Sequence, residues 1–444
     1  MLTWLTRVER WIPAAAALLW WSIFYPGLFG DDSLIHLTDA RIDYVPVWFT
    51  AWWIYVVDFV SIDTRAIPLL TLAGVFALAY AAYCWIAMVF PAGPARAITV
   101  LAIVVSPVVG AMGIQVRHDA PMTAALLLCA AVLSRTWNGA RFNRNDVAFL
   151  ALAALMLPTR HNGVPTIAVS ALVLLAMGRR HRRQAAAMLG VAAAAWVITW
   201  SATRASGNTS AVHPGQTVEW VMGDISCLLS NAGVDATESE WSTLERIATR
   251  TAWPQAAACV AMNPILRDAS FSMTAVETHY DDLVSVWRSL ASRYPLLMLR
   301  AHATRVRLHL PPFVGGPPEV VSFLHSTILP NDFGLEWKFP SIAERARVVI
   351  RAWNAMSYVL GNSALWLMVL MLLAWQRREY RAGLVPAIII GTVLNLGLIA
   401  AAPISDGRYG LFILLAGQAA AWYFVLTPRP AAPPSPGHAA PSGP

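Results

Sequence analysis

The chain has 444 residues, of which 57% are hydrophobic and only 13% charged, and it carries a net charge of +7. A soluble domain is roughly 25% charged, so this balance excludes an ordinary soluble protein and describes a chain whose solvent is mostly lipid. The excess positive charge does not mark a nucleic-acid binder. Nearly all of it is arginine, Lys338 being the only lysine, and it lies in short loops between apolar runs, where it sets membrane orientation.

The chain opens with Arg7 and Arg10 and a Trp-rich apolar run to Gly30. It looks like a signal peptide but lacks a clean small-x-small cleavage site, so it reads as an uncleaved first span. Apolar windows predict spans over 11–29, 66–90, 97–114, 119–134, 146–159, 164–178, 185–203, 352–375, 382–402 and 409–426. The expected fold is all-α: a polytopic transmembrane bundle of about ten spans with a small helical region on the outer face. Orientation checks the count. With the N-terminus inside, the inner loops hold Arg96, Arg135, Arg141, Arg144, Arg179, Arg180, Arg182, Arg183, Arg377, Arg378 and Arg381. The short outer loops hold only Arg41, Arg65, Arg117, Arg160 and Arg408, as the positive-inside rule requires. This predicts a multi-pass protein of the inner (cytoplasmic) membrane with both termini cytoplasmic.

Two outer segments are long. In 30–65, the apolar stretch Tyr44–Val60 is broken by Pro46 and bounded by Asp58 and Asp63. It reads as an interfacial helix, with a full span as the alternative. Segment 204–351 is the only sizeable soluble part. Thr237 and Glu240 fit a capping box, followed by Trp241, Leu244 and Ile247 at helical spacing. Two further apolar stripes run through Val218, Val221, Met222, Ile225 and Leu229, and through Leu283, Val284, Trp287, Leu290 and Ala291. The stripes are expected to pack on one another. The organisation is therefore 1–203 as an N-terminal transmembrane module with outer loop 30–65, 204–351 as an extracytoplasmic helical region, 352–426 as C-terminal transmembrane helices, and 427–444 as a Pro/Ala-rich disordered tail. Cys84 and Cys129 fall in spans. Cys227 and Cys259 lie outside, in an oxidising compartment, and are expected to pair.

Polar residues gather at four outer span ends: Gly30-Asp31-Asp32, Arg117-His118-Asp119, Arg160-His161-Asn162-Gly163 and Asp406-Gly407-Arg408-Tyr409. Ionised groups near lipid usually face a cavity or pair with one another. Asp31 or Asp32 at a membrane-surface cleft can take a proton from an acceptor hydroxyl; the plainer alternative is a helix cap. Arg117, His118, Arg160, His161 and Arg408 offer donors suited to phosphate oxygens; the plainer alternatives are ion pairing, Arg117 with Asp119 or Arg408 with Asp406, and snorkelling to lipid headgroups. Asp43, Asn162, Asp119, Asp406 and Tyr409 are candidates to orient the acceptor. No cofactor is specified. A divalent metal on Asp31, Asp32, His118 and Asp119 is conceivable chemistry, but no fixed-spacing metal motif occurs, and no P-loop points to ATP.

This arrangement resembles the GT-C superfamily of membrane glycosyltransferases, in which a first-loop acidic residue serves as the base or orients the acceptor. More narrowly, the ordered elements Tyr25-Pro26-Gly27 with Asp31 and Asp32, Asp43-Tyr44-Val45-Pro46, His118-Asp119-Ala120-Pro121, Arg160-His161-Asn162-Gly163 and Asp406-Gly407-Arg408-Tyr409 resemble a family of bacterial polytopic membrane proteins with GT-C-like topology. His118 stands where that pattern has Lys. The resemblance implies transfer of a sugar from a polyprenyl-phosphate donor, among membrane lipids, to an acceptor on the outer face. The alternative is a transporter or flippase of a lipid-linked or anionic solute, which needs polar residues at the membrane midplane. The spans are nearly free of them, so the asymmetry favours the transferase.

Overall fold

The computed structural model describes residues 8–41, 50–61, 63–206, 214–255, 259, 263–266, 268–312, 324–402 and 406–427. Among these the chain is helical, with no strand. Its only extended pairings are two isolated parallel bridges, Leu28 to Gln115 and Phe29 to Ile328.

The membrane-type helices are α1 (Ile12–Ile23), α4 (Ile67–Val89), α5 (Pro94–Val104), α6 (Pro107–Gly113), α7 (Asp119–Thr136), α8 (Arg144–Met156), α9 (Gly163–Ala176), α10 (Arg182–Ala205), α19 (Ser363–Gln376), α20 (Arg381–Ala401) and α21 (Leu411–Leu426). Between α1 and α4 lie α2 (Asp31–Arg41) and α3 (Ala51–Ser61). A second helical group holds α11 (Pro214–Leu229), α12 (Glu238–Leu244), α13 (Asn263–Leu266), α14 (Met273–Thr278), α15 (Tyr280–Arg293) and α16 (Pro295–Arg305). Then come α17 (Pro340–Ala355) and α18 (Ser357–Leu360).

A helix stands at every predicted span, but the count of about ten is not supported. Among the described residues four helices are long and apolar enough to cross a membrane, Thr64–Val89, Arg179–Ala205, Arg378–Ala401 and Arg408–Leu426; a fifth is added if α5 and α6, bent by 46° at Ser106-Pro107, form one. The reason is length. A helix rises about 1.5 Å per residue against a hydrocarbon core about 30 Å thick, and α1, α8, α9 and α19 have only 12, 13, 14 and 14 residues. Pro158 in the turn Leu157–Thr159 closes α8 early. α7 has 18 residues and is buried along nearly its whole length by other helices. α3 has 11 residues, about 16 Å of helix at 1.5 Å per residue, and lies in the second half of that stretch. Residues 44–49 of the predicted interfacial helix lie outside the described residues.

Helices α11–α16 build their own core. Val221, Met222, Ile225 and Leu229 pack with Trp241, Leu244, Ile247, Leu283 and Leu290. The Thr237–Glu240 capping box forms, each side chain accepting from the other residue's backbone N–H at 3.3 and 2.7 Å. Cys227 and Cys259 are joined as a disulfide, while Cys84 and Cys129 are free.

Candidate functional site

The two bridges assemble the site. Leu28 N–H donates to Ile114 O at 3.1 Å, and Phe29 N–H donates to Thr327 O at 3.2 Å. Three segments from distant parts of the chain, 28–29, 114–117 and 327–329, are thereby laid side by side. Gly30 follows at once, and its glycine is required: a Cβ there would lie 2.4 Å from the His325 imidazole. α2 then starts with Asp31 and Asp32 in its first turn, where carboxylates suit the helix dipole.

Asp32 is the hub. Its Oδ2 pairs with Arg408 and lies 3.2 Å from Arg117 Nη2. Arg408 also pairs through Nε with Asp406 Oδ2 at 2.7 Å, and Asp406 Oδ1 caps the turn by accepting from Arg408 N–H at 2.9 Å. Arg160 pairs with Asp119, which opens α7, and its guanidinium lies 4.2 Å over the Tyr409 ring. Three arginines and three aspartates, from loops after α6, α8 and α20 and from the starts of α2 and α7, thus converge on one tyrosine. The predicted ion-pair alternatives hold only in part. Arg408 does pair with Asp406, but Arg117 bonds Asp32 and leaves Asp119 to Arg160.

Electrostatics sort the roles. Burial would raise the Asp32 carboxyl, but Arg408 and Arg117 outweigh it and hold the group well below the usual carboxylate range. Asp32 is therefore a weak base. Burial lowers Arg117 and Arg160 to about 10, which leaves both charged at neutral pH. Arg117 Nε is buried with no hydrogen-bond partner, an unused donor in the middle of the network. Burial holds His118 well below its ordinary value, so it enters as a neutral ring, edge-on to His36 at 5.3 Å.

The other predicted residues are placed as follows. Asp31 is exposed at the start of α2, and His161 is exposed on the turn beside Arg160. Asn162 precedes α9, and its carbonyl accepts from Thr166 Oγ1 at 2.7 Å. Asp43 lies outside the described residues. The four residues considered for a metal do not converge on one point, since Asp32 and Asp119 are bound to different arginines. Among the described residues, no group of three or more His, Cys, Asp or Glu is arranged to hold an ion. The donor set therefore does not fit a metal, and no step is routed through one.

Three groups escaped sequence reasoning. Glu219, on α11, is half-buried and lies within electrostatic reach of Asp32 and Tyr409; burial first, and then the Asp32 charge, push its carboxyl up to about 8. His36 follows Asp32 by four residues on the same helix face and accepts from Trp53 Nε1 at 2.8 Å. His309 stacks on Tyr409 at 6.5 Å. Its tautomer follows from its partners. Ser363 Oγ donates to Asn395 Oδ1 at 2.6 Å and so accepts from His309 Nδ1 at 2.8 Å, which leaves Nε2 as a buried bare nitrogen. Only His36 carried a local signal, its spacing from Asp32.

A separate cleft lies elsewhere. It has a volume of about 550 Å³ and is lined by Trp375, Gln376, Arg377 and Arg378 at the far end of α19. The chemistry described above is absent from it.

No protein-family model and no curated protein matches the chain. Two solved structures are similar to it, both of the oligosaccharyltransferase of Archaeoglobus fulgidus, one in complex with zinc and sulfate and the other, named AglB, with an inhibitory peptide and a dolichol-phosphate. Each is 10% identical with a TM-score of 0.44 over 94% of this chain. The chain spans about half the length of these proteins, 49% and 50%.

Proposed function

We propose that the protein is a membrane glycosyltransferase that moves a sugar from a polyprenyl-phosphate donor to an acceptor hydroxyl on the outer face of the cytoplasmic membrane, in the manner of GT-C enzymes. The observation that carries this reading is the convergence of Arg117, Arg160 and Arg408 on Asp32 and Tyr409, with a second carboxyl, Glu219, beside them. Asp32 bridges Arg117 and Arg408 as a phosphate oxygen would. A donor phosphate displaces it, gains Arg117 Nε as a further donor, and frees Asp32 to orient the acceptor. The acceptor oxygen attacks the anomeric carbon, the bond to the phosphate oxygen breaks, and the lipid phosphate leaves with the electron pair, stabilised by the arginines. The acceptor proton goes to Glu219, the stronger base of the two carboxyls. His118, His161, Asn162, Asp406 and Tyr409 shape the surroundings, and Asp31 and Asp43 are assigned to the acceptor.

The test is sugar transfer by the purified protein from polyprenyl-phosphate-linked sugars to the cell envelope's soluble and lipid acceptors. Glu219→Gln is expected to cost 100-fold or more, within the range of roughly 10²–10⁴ that a positioned base contributes. Wild-type rates in this variant would remove the proposed base. The transporter reading requires a path open to both faces; a cavity joining the Asp32 cluster to the cleft at Arg377 would favour it.

A further inference from the structure

We propose that His302 is a proton-dependent positioning residue that latches the outer helical layer to α20 and thereby seats α11, with Glu219, beside the arginine cluster. His302, on α16, bridges two acceptors. Its Nδ1 lies 3.2 Å from Asp224 Oδ2 on α11, and its Nε2 lies 2.7 Å from Ile399 O on α20. Ile399 is in the last turn of α20, whose final carbonyls have no partner within the helix. A cation there is favoured by the helix dipole.

A neutral imidazole donates from one nitrogen only. Facing a carboxylate on one side and a carbonyl on the other, His302 satisfies both only as imidazolium. The charged groups around it are few. From α11 comes Asp224, which is fully buried, and from its own helix comes Arg305, also fully buried, which pairs with Asp224 and donates to Trp220 O at 2.6 Å. α15 contributes the uncharged Trp287 indole, which donates to Asp224 Oδ2 at 3.2 Å, and α20 contributes the Ile399 carbonyl. When His302 loses its proton, Asp224 keeps Arg305 as a counter-ion and the ring keeps a single N–H, so it donates to Asp224 or to Ile399 O but no longer bridges α11 and α20. The hydrogen bond to Asp224 raises the His302 pKa above its ordinary value of 6.5. The sign follows. A group whose folded pKa is raised contributes stability fully present below the unfolded value and lost as pH rises through the folded one. The latch is closed below about pH 6.5 and opens on the alkaline side.

α11 carries both ends of the consequence, since Glu219 stands five residues before Asp224 on the same helix. Opening the latch unseats Glu219 from the cluster. The catalytic consequence rests on the transferase reading, but the latch itself does not.

Three measurements on the full chain in lipid nanodiscs test this. The imidazole signal of His302, assigned by its loss in His302→Gln, is expected to titrate with a midpoint above 6.5; a midpoint at or below 6.5 overturns the proposal. Hydrogen-exchange protection of 219–229 and 283–305, taken relative to α4 and corrected for intrinsic rates, is expected to fall about tenfold between pH 6 and pH 9, since a single proton allows at most one decade per pH unit. In His302→Arg, whose charge is permanent, protection is expected to stay flat. Protection independent of pH in the wild type overturns the latch even if no variant folds. Transfer is expected to follow a bell in pH, because Glu219 must lack a proton and His302 must hold one, and His302→Arg is expected to leave a single rise through about 8. An unchanged bell in that variant refutes the positioning role. A titrating latch in a protein that transfers nothing refutes the transferase reading alone.

Discussion

Replacing Asp32 by Asn separates two accounts of the site. If Asp32 were the base, Asp32→Asn would abolish transfer and leave donor affinity alone. If it is instead the resident counter-ion of Arg117 and Arg408, its neutralisation strengthens phosphate binding while transfer falls. The size of the gain follows from the geometry. The Asp32 carboxylate touches both guanidinium groups, at 3.2 Å in the case of Arg117, so an incoming phosphate shares those groups with it. Two unit charges about 4 Å apart repel by about 1 kcal/mol in water and about 4 kcal/mol near a protein surface. The Asp32 side chain is 37% exposed, so solvent screens it and the lower end applies. About 1–2 kcal/mol corresponds to roughly 5- to 30-fold tighter binding. The assay is calorimetric titration of a short-chain polyprenyl phosphate into wild-type and Asp32→Asn protein in nanodiscs. Equal or weaker binding by the variant would refute the counter-ion role.

Other consequences are as direct. Asp224→Ala leaves Arg305 fully buried without its counter-ion, and losing one partner of such a pair costs about 3–5 kcal/mol; chemical denaturation followed by far-UV dichroism is expected to show a loss of this size, and a loss under 1 kcal/mol would contradict the burial described. Gly30→Ala drives a Cβ into His325; transfer is expected to fall at least tenfold with thermal stability changed little, because the collision is confined to the site. The Cys227–Cys259 bridge closes a loop of 32 residues, for which loop entropy predicts about 3–4 kcal/mol; paired Ser substitutions should lower the denaturation midpoint accordingly, and two free thiols in the unreduced native protein would rule the bridge out.

What the sequence revealed depended on range. The Thr237–Glu240 capping box and the apolar stripes of α11, α12 and α15 rest on contacts within a few residues, and each was readable. That Asp32, Arg117, Arg160 and Arg408 all stand at ends of apolar segments was also readable. Their exact pairing was not, since it depends on how the loops cross. Glu219 gave no signal: it is one acidic residue in an amphipathic helix, and only the docking of α11 brings it near Asp32. His309 is equally silent, its tautomer being fixed by Ser363 and Asn395, more than 50 residues away. The span count outran helix length for a physical reason. Hydropathy windows measure apolarity, whereas Pro107 and Pro158 break apolar runs into short helices.

The most direct test of the transferase account is the position of a bound polyprenyl phosphate in a cryo-electron microscopy structure of the full chain in nanodiscs. The account predicts phosphate density within hydrogen-bond distance of Arg117 and Arg408, with Asp32 displaced and the lipid tail running into the membrane beside it. Density in the cleft at Arg377 and Arg378, with the Asp32 pairs intact, would contradict it.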